Sequence, residues 1–101
     1  VGAWIVQNEY TIEDEDILNA IRYHTTGRAN MSPLEKIIFV ADMIEPNRKF
    51  PGVKELREIA KLSLEDAFRA CVTHSLTFLI EAQIAIYPVS IECYNSLMRE
   101  E

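Results

Sequence analysis

The chain has 101 residues, of which 49% are hydrophobic and 26% are charged, and its formal net charge at pH 7 is −6. This length allows a single domain, and the composition is typical of a globular protein rather than a disordered one. The charged residues occur in mixed runs without a basic stripe, which argues against long nucleic acid as a partner. A small phosphorylated molecule is not excluded, because a few local cations beside a metal can bind phosphate.

Compartment and membrane association are predicted from what the sequence contains. The apolar runs are too short to span a bilayer and no signal-like start is present, so we expect a cytoplasmic protein with no membrane partner. Cys71 and Cys93 stand without a second Cys or His at the spacing of a zinc or redox site, so we expect two buried thiols. The chain begins at Val1 without a Met and reads like the end of a helix already under way, so we expect a piece of a longer protein.

The first helix predicted with a clear start and stop lies near the beginning of the chain. Residues up to Asn8 suit the end of an earlier helix in which Trp4 packs inward. Acidic residues then indicate a helix from about Glu13 to Tyr23 or His24, because carboxylates favour the positive end of a helix dipole. Gly27 is typical of the residue that follows a helix.

The second predicted helix has a strong start signal. Ser32 is a typical N-cap, Pro33 suits the first helical position, and Glu35 completes a capping box with Ser32. The helix should continue to about Ile44, because Pro46 disfavours helical geometry in the residue before it.

Three further helices are predicted in the rest of the chain. The first runs over 53–61, and the second runs over 64–82 with Ser63 as its N-cap and Asp66 in its first turn. Ser90 is predicted to cap the last helix. No alternating strand pattern is present, so we expect an all-α bundle of about five to six helices.

Two ionisable residues occupy positions where packing alone would favour carbon. His24 falls on the apolar face of the first helix with Ile17 and Ile21, and Asp42 follows Ile38 by one turn in an apolar segment. We expect both side chains to be buried, and a buried carboxylate requires a metal ion, a cation or a dense set of donors beside it. A lone His on an apolar face is more often a hydrogen-bonded core residue than a ligand, so a purely structural role for His24 stays open.

The chemistry consistent with these residues is that of a metal ion held by His and Asp from facing helices. Such an ion polarises a phosphate and activates a water molecule, and imidazole with carboxylate suits iron, manganese or zinc better than calcium. Two such residues are too few for a tight site. Arg48 and Lys49 are the first cations that follow Asp42 in sequence, either as ligand contacts or as solvated loop charges. His74 is predicted to be structural.

Three segments resemble the YqeK group of HD-domain proteins, which are bacterial hydrolases that cleave diadenosine tetraphosphate symmetrically to two ADP. These segments are 23–27, 34–42 and 44–53. The resemblance covers essentially the whole chain and implies an incomplete HD-domain-like bundle. Residues 1–101 would be the C-terminal part of a single metal-dependent phosphohydrolase domain that uses a metal-activated water.

The resemblance also implies roles for individual residues. Asp42 matches the last metal-binding Asp of the family pattern, with iron as the metal suggested. His24 and Thr25 match residues that line the nucleotide and phosphate site, and whether His24 contacts the metal or the phosphate stays open. Arg48 matches a cation on the phosphate chain. The segment 85–90 matches a loop near the nucleotide, and within it Tyr87 stands at a position where many relatives would have His.

The metal ligands that precede this last Asp in the family pattern, a first His and an adjacent His-Asp pair, lie upstream of Val1. The chain alone would therefore be weakly active or inactive, and its expected partners are a small phosphorylated nucleotide and either the missing N-terminal half or a second copy. Two alternatives stay open: a non-catalytic helical module whose apolar face binds a partner, and an HD phosphohydrolase that acts on another nucleotide.

Overall fold

The computed structural model describes residues 15–99, which form five α-helices. The helices are α1 (Glu15–Tyr23), α2 (Pro33–Ile44), α3 (Val53–Leu62), α4 (Leu64–Glu81) and α5 (Pro88–Arg99). No strand occurs within this range, so the all-α prediction is confirmed. The segment up to Asn8 and the predicted helix start at Glu13 lie outside the described residues. None of the five helices is long and apolar enough to cross a membrane.

The start of α2 is the capping box that the sequence predicts. The Ser32 hydroxyl accepts a hydrogen bond from the backbone N–H of Glu35 at 3.2 Å, and the Glu35 carboxylate accepts one from the backbone N–H of Ser32 at 3.0 Å. Pro33 occupies the first turn and the helix ends at Ile44, before Pro46. Because these signals lie within a few residues of the helix ends, local sequence is sufficient to place α2.

The bounds of α3 and α4 also agree with the prediction to within one residue. The Ser63 hydroxyl accepts a hydrogen bond from the backbone N–H of Asp66 at 3.1 Å and so caps α4. Gly52 precedes α3 with φ of +94°, a left-handed conformation that residues with a Cβ rarely adopt.

The predicted start of the last helix is three residues too late, because Ser90 as the N-cap would make Ile91 the first helical residue. Helix α5 begins at Pro88, and the Tyr87 carbonyl accepts hydrogen bonds from the backbone N–H groups of Ser90 and Ile91. Pro suits the first helical position because the N–H that it lacks would have no partner there. Ser90 is therefore inside the helix, where its hydroxyl donates to the carbonyl of Thr26 at 2.8 Å and ties α5 to the connection after α1.

The core lies around α4, which contacts α2, α3 and α5. The rings of Phe39 and Phe68 meet edge to face with their centroids 5.4 Å apart. Cys71 and Cys93 are free and buried, as predicted, and burial raises the pKa of each thiol to about 11. The other buried apolar residues of this cluster are Met31, Val40, Leu56, Ala67, Val72 and Leu97.

An ion pair between the half-buried Arg28 and the buried Glu35 joins the α1–α2 connection to the start of α2. The Arg28 guanidinium donates to both carboxylate oxygens of Glu35, at 2.6 and 2.8 Å, and it lies 5.1 Å from the centre of the Tyr23 ring. The Glu35 side chain is only 1% exposed. The sequence analysis assigned Glu35 to the capping box alone, so this second and longer-range role is a finding of the structure.

Loss of this pair should destabilise the fold. We expect Glu35→Ala to lower the free energy of unfolding by about 3 kcal/mol, because it leaves the Arg28 guanidinium and the Ser32 N–H without their acceptor. Urea unfolding followed by circular dichroism measures the change. Glu58→Ala is the matched control, since Glu58 pairs with Lys61 at the exposed surface and should contribute about 0.5 kcal/mol or less. Equal losses in the two variants would contradict the assignment.

The same pair predicts a pH dependence. The Arg28 guanidinium, helped by hydrogen bonds from Ser32 and opposed by burial, holds the pKa of Glu35 below its ordinary value of 4.5. The stabilisation is therefore complete above about pH 4.5 and is lost as the pH falls through the lowered pKa, because the unfolded chain binds the proton more readily. Below about pH 4.5 we expect Glu35→Gln to lose stability less steeply than the parent chain in urea titrations. If stability fell equally steeply with pH in Glu35→Gln and in the parent chain, the prediction would be refuted.

Candidate functional site

A cavity of about 430 Å³ opens between the α1–α2 connection, α2, the loop after α2 and α4. Its wall combines ionisable, hydroxyl, aromatic and thioether side chains: His24, Thr25, Phe39, Asp42, Met43, Arg48, Phe50, His74, Ser75 and Phe78. We refer to this cavity as the cleft. Four of the five site residues predicted from sequence lie in its wall.

Tyr87 is the predicted site residue that the structure does not bring into the cleft wall. Its side chain is 71% exposed, and it immediately precedes α5. The loop near the nucleotide was expected to extend to Ser90, but the chain is already helical from Pro88 onward.

His24 enters the cleft from the corner that follows α1. Helix α1 ends at Tyr23, so His24 leaves the apolar helix face and is half-buried rather than buried, which corrects the sequence prediction. Its Nδ1 lies 2.6 Å from the carbonyl oxygen of Ile21. A carbonyl only accepts hydrogen bonds, so Nδ1 carries the proton and the lone pair of Nε2 is left as an acceptor or a metal ligand.

The corner itself is held in place by backbone geometry and by α5. Gly27 has φ of +73°, as its position after a helix predicts, and a Cβ there would lie 2.8 Å from the sulfur of Cys93. Its N–H donates to the carbonyl of Tyr23 at 2.8 Å. Thr25 is exposed on this corner and lines the cleft beside His24.

Asp42 lies on the last turns of α2, and its predicted burial is wrong. The side chain is 42% exposed because this face of α2 forms the open wall of the cleft instead of packing against another described helix. The helical period shows that Asp42 shares a face with Ile38, which is itself 37% exposed, but the period cannot show whether that face is covered. The expected cation beside the carboxylate is present, since Arg48 Nη2 lies 3.1 Å from Asp42 Oδ2.

Arg48 and His74 define the loop side of the cleft. The Arg48 side chain is 49% exposed and makes the ion pair with Asp42, so it is more than a solvated loop charge. The Nε2 of His74 donates to the carbonyl of Pro51 at 3.0 Å, and its ring lies 4.8 Å from that of Phe50. His74 therefore has the structural contact that the sequence analysis expected, and it also lies in the cleft wall.

Several other wall residues were not identified from sequence. Phe39 and Met43 lie on α2 within one turn of Asp42, and Phe78 lies one turn after His74. Residues three or four positions apart on a helix lie on the same face, so the positions of Asp42 and His74 indicate Phe39 and Phe78 as neighbours. Phe78 is 60% exposed and lies in the cleft wall.

Residues 15–99 do not form a metal site by themselves. Within this range, no group of three His, Cys, Asp or Glu side chains could hold a metal ion. Protein metal sites commonly use three or more such ligands. A carboxylate at Asp42 and an imidazole at His24 are suitable donors, but they can supply only part of a coordination shell.

Comparison with known proteins finds relatives that share one name. No protein-family model matches the sequence. The chain is 53% identical over 100 residues to a protein of Halalkalibacterium halodurans and 48% identical over 98 residues to one of Bacillus subtilis. Both are named symmetrical bis(5'-nucleosyl)-tetraphosphatase, as is a Staphylococcus aureus protein that is 44% identical over 97 residues. The chain matches the C-terminal half of YqeK-type HD-domain hydrolases.

The match covers nearly all of this chain but only part of its relatives. The three alignments include 99%, 97% and 94% of the chain and 54%, 53% and 50% of the relatives. The chain therefore spans about half the length of the family members that it matches and corresponds to their C-terminal half.

A solved structure supports the same conclusion for the fold. It is an HD superfamily hydrolase of Clostridium acetobutylicum described as involved in NAD metabolism, and it is 42% identical to this chain with a TM-score of 0.91. The similarity covers 98% of this chain and 52% of the solved one. The prediction of an HD-domain-like bundle is confirmed.

The exposure of the Asp42–Arg48 pair predicts that it contributes little to stability. We expect Asp42→Ala to change the free energy of unfolding by less than about 1 kcal/mol, because half-exposed ion pairs are screened by solvent. Urea unfolding of Asp42→Ala and Glu35→Ala in parallel compares their losses in the free energy of unfolding. A loss as large as that of Glu35→Ala would mean that Asp42 maintains the fold rather than serving the cleft.

Proposed function

We propose that residues 1–101 are the C-terminal part of a single HD-type metal-dependent phosphohydrolase domain, and that the complete protein cleaves diadenosine tetraphosphate symmetrically to two ADP. The names of the three relatives support the reaction. The observation within this chain that carries the proposal is that His24, Asp42 and Arg48, from three different segments, line one cleft.

Arg48 and Thr25 are the proposed contacts to the phosphate chain. A guanidinium can donate two parallel hydrogen bonds to phosphate oxygens. Arg48 has one contact of 3.1 Å with Asp42 and is half-exposed, so it can turn to a ligand at low cost. The exposed Thr25 hydroxyl can donate a further hydrogen bond. Both groups would stabilise the negative charge that develops on the transferred phosphoryl group.

Asp42 is the proposed metal ligand of this chain. We place the other ligands outside residues 15–99, in the part of the relatives that this chain does not match. When bound, a divalent metal supplies Lewis-acid polarisation of the phosphate and a water of lowered pKa. The donor types favour iron, manganese or zinc, and we propose iron.

His24 and Tyr87 have narrower proposed roles. The Nε2 of His24 either binds the metal through its lone pair or, when it is also protonated, donates to a phosphate oxygen. Tyr87 lies outside the cleft wall, and we propose for it a contact with the nucleoside at the periphery. We also propose that the protein acts in the cytoplasm, in keeping with two free cysteines.

The exposed apolar surface favours a second candidate function, that of a partner-binding helical module without catalytic activity. Large apolar side chains lie exposed on the second half of α4 and in the segment that follows it, namely Phe78, Ile80, Ile84 and Tyr87. Exposed apolar residues mark an interaction site where they are contiguous. In the first proposal the same surface receives the remaining half of the domain or a second copy of the chain. The Clostridium acetobutylicum protein keeps a third candidate open, an HD phosphohydrolase of another nucleotide.

Product analysis tests the proposed reaction. The protein is expressed with the coding sequence upstream of Val1, loaded with Fe²⁺ and incubated with diadenosine tetraphosphate or NAD, and its products are separated by anion exchange. We expect ADP alone from diadenosine tetraphosphate, with about one metal per chain. Asp42→Ala should lose both metal and activity, whereas Arg48→Ala should keep the metal and bind the nucleotide about tenfold more weakly.

Each alternative has a distinct outcome in this assay. Glu58→Gln is the control, because Glu58 lies on the exposed face of α3 and makes its ion pair with Lys61. Unchanged metal content in Asp42→Ala would reject Asp42 as a ligand. ATP with AMP as products, or cleavage of NAD in preference, would reject symmetrical cleavage of diadenosine tetraphosphate. The lack of both metal and hydrolysis would favour the partner-binding module.

A further inference from the structure

The loop that carries Arg48 has little backbone structure of its own. It runs over 45–52 between α2 and α3. The Arg48 N–H donates to the carbonyl of Glu45 at 2.9 Å, and the Val53 N–H donates to that of Phe50 at 3.2 Å. The path of the loop therefore depends on side chains that reach it from other elements.

Arg57, on α3, makes three such contacts with one guanidinium group. Its Nε donates to the carbonyl of Ile44 at 3.0 Å, and its Nη2 donates to the carbonyls of Glu45 and Arg48, each at 2.9 Å. Ile44 and Glu45 are the last residue and the C-cap of α2. Carbonyls at a helix C-terminus lack intrahelical partners and favour a positive charge, so Arg57 satisfies both requirements.

These contacts join the two charged residues of the cleft. Ile44 follows Asp42 by two residues on the same helix, and the third carbonyl belongs to Arg48 itself. We propose that Arg57 is a positioning residue that sets the separation between Asp42 and Arg48, and with it the geometry in which Arg48 meets a phosphate group. The phosphate part of this inference rests on the proposed function, whereas the positioning part does not.

His74 also contacts the loop, but at a point further along the chain than Arg48. His74 donates to the carbonyl of Pro51 and packs against Phe50. It holds the end of the loop next to α3 and makes no hydrogen bond to the backbone of Arg48. Within residues 15–99, Arg57 is therefore the side chain that hydrogen-bonds the backbone of Arg48, whereas Asp42 contacts its guanidinium group.

Arg57→Lys separates the charge of Arg57 from its geometry. Lysine keeps a positive charge near the end of α2, but an ammonium group lacks the rigid planar fork that reaches three carbonyls at once. Arg57→Gln is a second variant that removes the charge and keeps an N–H donor. Arg69→Lys is the control, because Arg69 also donates to a carbonyl, that of Leu97 at 2.8 Å, at the packing of α4 with α5.

Amide hydrogen exchange measured by NMR tests the positioning. We expect the Arg48 amide to exchange about tenfold faster in Arg57→Lys than in the parent chain, the effect of losing roughly one hydrogen bond. Arg69→Lys should leave this amide unchanged, and the amides in the middle of α4 should keep their protection in every variant. Unchanged exchange at Arg48 in both Arg57 variants would overturn the inference.

A double-mutant cycle with inorganic tripolyphosphate tests whether Arg57 acts through Arg48. Arg57→Lys and Arg48→Ala should each weaken binding of the probe, the second by about tenfold, and the double variant should bind no more weakly than Arg48→Ala. Additive losses would show that Arg57 acts independently of Arg48 and would overturn the proposed pathway. If the parent chain does not bind the probe, the phosphate role of Arg48 fails, and the exchange experiment still decides the positioning.

Discussion

Each end of α2 depends on a guanidinium group from outside the helix. At the start, Arg28 neutralises the buried carboxylate of Glu35, which also accepts the N–H of Ser32. At the end, Arg57 donates to the carbonyls of Ile44 and Glu45. Helix ends leave backbone groups without partners, and an unsatisfied buried group is costly. The same contacts that stabilise the helix therefore also hold the irregular segments on both sides of it.

The cleft is the place where those two segments meet α2. The corner after α1 contributes His24 and Thr25, the loop after α2 contributes Arg48, and the helix contributes Asp42. The ion pair between Asp42 and Arg48 is half-exposed, in contrast to that of Glu35. Exposed pairs contribute little to stability, so either partner can change its contact at low cost. This is expected of residues that bind a charged ligand and not of residues that maintain a fold.

The helices could be predicted because their start and stop signals are local. The hydroxyls of Ser32 and Ser63 cap their helices by accepting hydrogen bonds from backbone N–H groups three residues further on, and Gly27 follows α1 as predicted. The prediction that Ser90 caps the last helix failed because Pro88 is also a helix-start signal. Pro88 occupies the first helical position, so Ser90 lies inside the helix. The prediction that Asp42 is buried failed for a different reason. Periodicity shows which residues share a helix face, but it does not show whether another element packs against that face. The three carbonyls bound by Arg57 lie 9 to 13 residues away in sequence, and no local pattern indicates such contacts.

Under the proposed function, the cleft combines suitable donors with an open wall because the rest of the domain is missing from it. The solved relative resembles this chain with a TM-score of 0.91 over 52% of its own length, so the chain has the arrangement of the matching part of that longer protein. Phe78 is 60% exposed in the same wall that contains Asp42. Under the proposed function, packing of the remaining half over this wall would remove the apolar ring from water and bring further ligands towards the carboxylate. Metal binding and completion of the fold would then stabilise each other, because a metal that binds only the assembled site adds its binding free energy to that of folding.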